Sequence, residues 1–186
     1  MAPIEVFFGS AVFMFMLIGL VRGFLKELGV TTVMMFILFF LSQFEPYLEM
    51  GLSRALSVGA QYVAMHNRDL VKCWVFVLAV GGAAFISYEG ETLGFGGQPP
   101  RGPQRIVLGG VTGLLNGYLI MGSVWYYMDK FHYPITWLGF STERLSPLAK
   151  GILPFLPIPF LGQPVLFGMS LLLYLSLLLI LARVVR

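Results

Sequence analysis

Long apolar runs separated by short polar corners organise this chain. The hydrocarbon core of a bilayer takes about 20 helical residues, and runs at 4–21, 24–42, 70–88, 106–128 and 165–182 approach that length. The pattern predicts an all-α polytopic membrane bundle of about five transmembrane helices. They form a single membrane domain over 1–186. The alternative is four spans plus a re-entrant or interfacial segment. The second run is the weakest, because Leu28–Leu41 alone reaches only about 21 Å as a helix. It crosses only if its helix begins near Phe24, tilts little, or thins the bilayer locally. Glu5 lies at the end of the first run, where a carboxylate can reach headgroup water.

The connections differ in kind. Residues 22–27, RGFLKE, make a tight corner. Within 43–69, Leu48, Leu52, Ala55, Gly59 and Tyr62 recur at helical spacing, with Glu49, Arg54 and Gln61 on other faces. That spacing suits an amphipathic helix lying on the membrane, or equally a short helix packed on the bundle. Residues 89–105 are dense in Gly and Pro and read as an irregular loop. Residues 129–164 set Tyr133, Trp137, Phe140, Phe155 and Phe160 among prolines, a composition suited to the headgroup layer. A re-entrant course for 151–164 would need protein or water to satisfy its backbone.

Composition supports the membrane reading. Hydrophobic residues make up 58% of the chain and charged ones only 11%, against roughly 25% charged in soluble domains. The net charge of +3 is carried by scattered residues, without the basic stripe that nucleic-acid binding needs. A single cysteine, Cys73, cannot form an internal disulfide and reads as a small apolar residue. The first run has no basic segment before it and no small-residue cleavage site after it, so a retained helix is expected.

Lys and Arg do not decide orientation by number. Arg22, Lys26, Arg101, Arg105, Arg183 and Arg186 would fall on one side, and Arg54, Arg68, Lys72, Lys130, Arg144 and Lys150 on the other. The longer loops on the second side, and an N-terminus without Lys or Arg against Arg22 and Lys26 in the first corner, favour an external N-terminus and a cytoplasmic C-terminus.

The fourth run contains a glycine stripe. Gly109, Gly113 and Gly117 stack on one helix face, as two overlapping GxxxG motifs. Lipid supplies little hydrophobic force between helices, so close backbone packing must hold them together. Two mates are available: Gly81–Ala84 in the third run, and Gly19 with Gly23 in the first. Self-association and a heterologous partner helix are the other uses of such a face. Asn116 sits on or beside the stripe as the one strongly polar side chain clearly at depth, and should make an interhelical hydrogen bond.

The corner and the stripe together resemble one family. Arg22, Gly23, Phe24, Lys26 and Glu27 match the first-hairpin signature of the colicin V production family of bacterial inner-membrane proteins. Gly109, Gly113, Gly117 and the later Asp129 match its glycine span. The resemblance covers roughly 4–131, leaving 132–186 as a C-terminal extension. The family usually carries Asp-Arg before the glycine span, where this chain has Arg105-Ile106. It often has Arg before the third glycine, where this chain has Asn116. The resemblance implies a non-enzymatic role in envelope maintenance or toxin production and export. The residues alone also suit an accessory subunit of an energy-transducing complex, or an oligomeric channel or carrier. The partners implied are membrane lipids and other membrane helices, self or heterologous.

The sequence offers no reaction centre and implies no cofactor. His66 and His132 lie outside the spans with no Cys or carboxylate at metal-ligand spacing, and axial ligation of a haem or pigment is the minor reading. HExxH, CxxC, GxSxG and P-loop patterns are absent. Glu89 and Glu91 read better as a solvated loop than as an acid–base pair.

Overall fold

A computed structural model describes residues 3–59, 65–90, 95 and 100–184. Helices α1 (Ile4–Arg22), α2 (Phe24–Gly59), α3 (Met65–Glu89) and α4 (Pro103–Lys130) dominate it. These four are long and apolar enough to cross a membrane, and the chain is an all-α membrane bundle. Helix α4 is the centre, packing against α1, α2 and α3.

Gly23 separates α1 from α2 with one residue. Its φ of 88° and ψ of 159° lie in a region essentially open only to glycine. Its N–H donates to Gly19 O at 2.9 Å and its carbonyl accepts from Glu27 N at 3.2 Å. Helix α2 thus begins at Phe24.

Helix α2 then continues through Pro46 to Gly59. The expected surface-lying helix after residue 43 is therefore the continuation of the second span and not a separate element. Tyr62, and residues 91–94 and 96–99 of the Gly/Pro loop, lie outside the described residues.

The stretch read as a fifth span, 165–182, is helical only in its later part. Residues Pro164–Leu166 and Met169–Ser170 form a small antiparallel hairpin. Phe167 and Gly168 turn it with φ values of 48° and 74°, the paired positive angles of a two-residue hairpin turn. Only α7 (Leu171–Val184), 14 residues long, is helical, which is about 21 Å. It packs on α2. The cytoplasmic C-terminus expected above rested on that longer span.

Between α4 and the hairpin, short turns surround α5 (Pro147–Ile152) and α6 (Pro157–Leu161). A Cβ on Gly122 would stand 2.5 Å from Pro157 Cδ, so α6 seats directly on α4. Ser146 caps α5, accepting from Ala149 N at 3.0 Å, and its hydroxyl donates to Glu5 Oε1 at 2.5 Å. That bond ties the loop region to the start of α1.

Helix α4 ends in a Schellman motif. Tyr133 N–H donates to Met128 O at 2.7 Å and His132 N–H to Asp129 O at 3.0 Å. The left-handed position, usually glycine, is filled by His132 at φ 59°.

Candidate functional site: a polar knot between four helices

The glycine stripe faces α1. A Cβ on Gly113 would lie 2.9 Å from Gly19 Cα, and one on Gly117 would lie 2.7 Å from Phe15 Cβ and 3.0 Å from Val12 Cα. Gly110, one position off the stripe, meets Leu20 Cδ2 at 2.9 Å. By contrast, Cβ atoms on Gly81 and Gly82 would meet nothing within 4 Å. Of the two mates offered by the sequence, Gly19 is the one used. Ile4 and Gly19 are the only buried residues of α1, because its large side chains, such as Phe13 and Met14, point outward.

Asn116 stands next to this seam and is fully buried. Its Nδ2 donates to Glu27 Oε2 at 2.8 Å and to Glu27 O at 3.0 Å. Its Oδ1 accepts from Thr31 Oγ1 at 2.8 Å. Both amide protons thus find oxygens and the amide oxygen finds a donor, which fixes the orientation of the group.

Glu27 is the centre of the knot, with 0% of its surface exposed. Tyr88 OH donates to its Oε2 at 3.0 Å, and Arg22 Nη1 approaches Oε1 at 3.4 Å. Arg22 Nη2 also donates to Tyr88 O at 2.9 Å, and its guanidinium lies 4.5 Å from the Tyr88 ring centroid. One arginine therefore supplies positive charge to the carboxylate, to the carbonyl end of α3 and to an aromatic face. The knot draws on all four long helices: Arg22 from α1, Glu27 and Thr31 from α2, Tyr88 from α3, and Asn116 from α4.

Asn116 is not the one strongly polar side chain enclosed between the helices. Glu27 is buried beside it, while the neighbouring Lys26 is exposed and Phe24 is half-buried. Asp129 takes no part in the knot. It is half-buried at the other end of α4, near Tyr133. Burial, and to a smaller extent the Asp129 carboxylate, push the Tyr133 hydroxyl above its ordinary value, against the lowering effect of Trp125 Nε1, which donates to it at 2.9 Å.

A second charged group closes that opposite end. Lys130 of α4 pairs with Glu45 and Glu49 of α2, and Tyr126 OH donates to Glu45 Oε1 at 3.4 Å. Glu27 and Glu45 are 18 positions apart, or about 27 Å along a helix. The α2–α4 seam therefore carries two polar clasps separated by about the thickness of a hydrocarbon core.

Between α1, α3, α4 and the 135–140 loop lies an apolar cavity of about 180 Å³, lined by Phe7, Phe8, Trp74, Trp125, Trp137 and others. An adjoining recess of about 280 Å³ is lined by Glu5, Ser141, Arg144 and Ser146, among others. Among the described residues, no group of three or more His, Cys, Asp or Glu side chains is placed to hold a metal ion. Comparison with protein families, curated proteins and solved structures finds no match for this chain.

Proposed function

We propose that this chain is a non-enzymatic protein of a bacterial inner membrane, of the colicin V production type, serving envelope maintenance or toxin production and export. The supporting observation is the meeting of the two motifs that carry that resemblance. The Arg22–Glu27 corner and the Gly109–Gly117 stripe are distant in sequence, yet Gly19 touches Gly113 and Glu27 accepts from Asn116. A charged residue buried among membrane helices is costly and points to a function for the group that holds it. On this reading the knot lies toward the cytoplasmic face, the Lys130 clasp toward the outer face, and the N-terminus is external.

The test is deletion of the gene in its own bacterium. Sensitivity to bile salts and detergents should rise, or toxin release should fall. The native chain should restore both, while a Glu27→Leu variant produced at normal level should not. A deletion strain indistinguishable from its parent in all of these would refute the role.

A second reading, an accessory subunit of a larger energy-transducing membrane complex, is favoured by the open surface over Gly81 and Gly82. It requires a stoichiometric partner to remain bound after mild solubilisation, and a Gly81→Leu substitution to release it.

A further inference from the structure

We propose that the aromatic slot holds one acyl chain of the surrounding bilayer, whatever headgroup that chain carries. The slot has about 180 Å³ and no charged residue in its lining. A cavity of about 150 Å³ lined by Leu, Ile and Phe stays dry and takes benzene, a six-carbon ring, so this one has room for about seven carbons of hydrocarbon. Its floor is buried, formed by Ile4, Trp125, Met128 and Ile135. Its rim is not: Phe7 is 53% exposed, Trp74 36% and Trp137 75%. The slot is thus open where Phe7 of α1 and Trp74 of α3 reach the surface. Both helices are able to cross a membrane, so the medium at that rim is acyl chain and not water.

Packing holds the chain there. Lipid supplies little hydrophobic force, but an unfilled slot leaves its lining without partner atoms and forfeits their dispersion contacts. A thin, flexible chain entering from the side restores those contacts on several faces at once. The slot's place along the bundle selects which stretch of chain enters. It follows α4 from Met121 to Met128, about 10 Å of helix, and stops two positions short of Lys130 and its carboxylate partners. Those charges belong at the headgroup boundary, the level at which tryptophan rings also gather. The stretch in the slot is therefore the one next to the ester and not the methyl end. The site is independent of the envelope role proposed above.

The experiment uses the full chain in vesicles of phosphatidylcholine brominated either near the ester or near the methyl end. Trp74→Phe together with Trp137→Phe leaves Trp125, a floor residue only 2% exposed, as the only tryptophan. Bromine quenches tryptophan at short range, so Trp125 reports a chain inside the slot. Near-ester bromine should remove most of its emission and methyl-end bromine little of it. Phosphatidylglycerol brominated near the ester should quench equally. Val77→Phe or Val124→Phe, each adding a ring to the lining, should return the emission toward its level in unbrominated vesicles. Helical circular dichroism and a single elution peak identify the folded variants; if the single-tryptophan chain fails to fold, the native chain and its filled forms give the same comparison. Emission unmoved by near-ester bromine, equal loss from both bromine positions, dependence on the headgroup, or loss unchanged in a folded filled variant would each overturn the proposal.

Discussion

Gly19 of α1 and Gly109 of α4 exclude a side chain from one another: a Cβ on Gly109 would stand 2.6 Å from the Gly19 carbonyl oxygen. The obstacle is backbone, which cannot rotate away as a flexible side chain can. Gly109→Leu and Gly113→Leu should therefore each cost about 3 kcal/mol or more, the upper end of overpacking penalties. Gly81→Leu and Gly82→Leu should leave the monomer's folding unaffected, since neither position meets a neighbour. Thermal aggregation in mild detergent, followed by size-exclusion chromatography, checks both pairs. Equal melting of all four variants would contradict the packing.

Glu27 serves as acceptor for Asn116, Tyr88 and Arg22 at once. Glu27→Leu strands three donors and should cost on the order of 3 kcal/mol, as removal of one partner from a buried pair does. Asn116→Leu leaves the carboxylate with Arg22 and Tyr88 and should cost less, roughly 1–2 kcal/mol. In a double-mutant cycle the Glu27–Asn116 coupling should be about 0.6–2 kcal/mol, the range for interhelical hydrogen bonds in membranes. Additive single effects would show that the two side chains do not communicate.

His132 occupies the left-handed position of the α4 cap at φ 59°. Glycine has no Cβ to crowd the neighbouring carbonyl there, so His132→Gly should stabilise the protein by about 1 kcal/mol. His132→Val should destabilise it, because a β-branched residue tolerates that angle least. Unfolding midpoints in denaturant order the three proteins.

Tyr133 gives a pH signature. Its neutral form is favoured in the folded state by burial and by Asp129, so its hydroxyl titrates above the ordinary value of about 10. The resulting stability is fully present below that value and declines as pH rises from there toward the folded-state value. Tyr133→Phe should flatten this alkaline decline. It also removes the acceptor of Trp125 Nε1, costing about 1–3 kcal/mol at neutral pH through the stranded donor. Thermal melts between pH 8 and pH 11 in steps of about 0.5 resolve the two effects.

Hydrophobic length located the first four spans, because run length and membrane thickness are directly linked. It did not foresee the hairpin that opens 165–182, where Gly168 interrupts an apolar stretch. Hydropathy is blind to the positive φ angles at Phe167 and Gly168 that make a hairpin there. The stripe's existence was legible from spacing alone. Its mate was not, since Gly19 and Gly81 look alike until their surroundings are known.

Glu27 belongs to the corner motif, but its burial had to be read from another pattern. The buried face of α2 runs through Val30, Met34, Leu38 and Leu41, and stepping back three places from Val30 lands on Glu27. Stepping forward four from Leu41 lands on Glu45, so both carboxylates continue the apolar stripe. That periodicity was the available signal.

Helix α2 is longer than one crossing of a bilayer needs. Its 36 residues make a rod of about 54 Å, against a hydrocarbon layer of about 30 Å. Beyond Glu45 it runs on for roughly 21 Å, past Pro46 and with Tyr47 and Met50 exposed. The helix thus exceeds the thickness of one hydrocarbon layer by more than a third of its length, and the missing N–H of Pro46 leaves one rung out of its ladder where that excess begins.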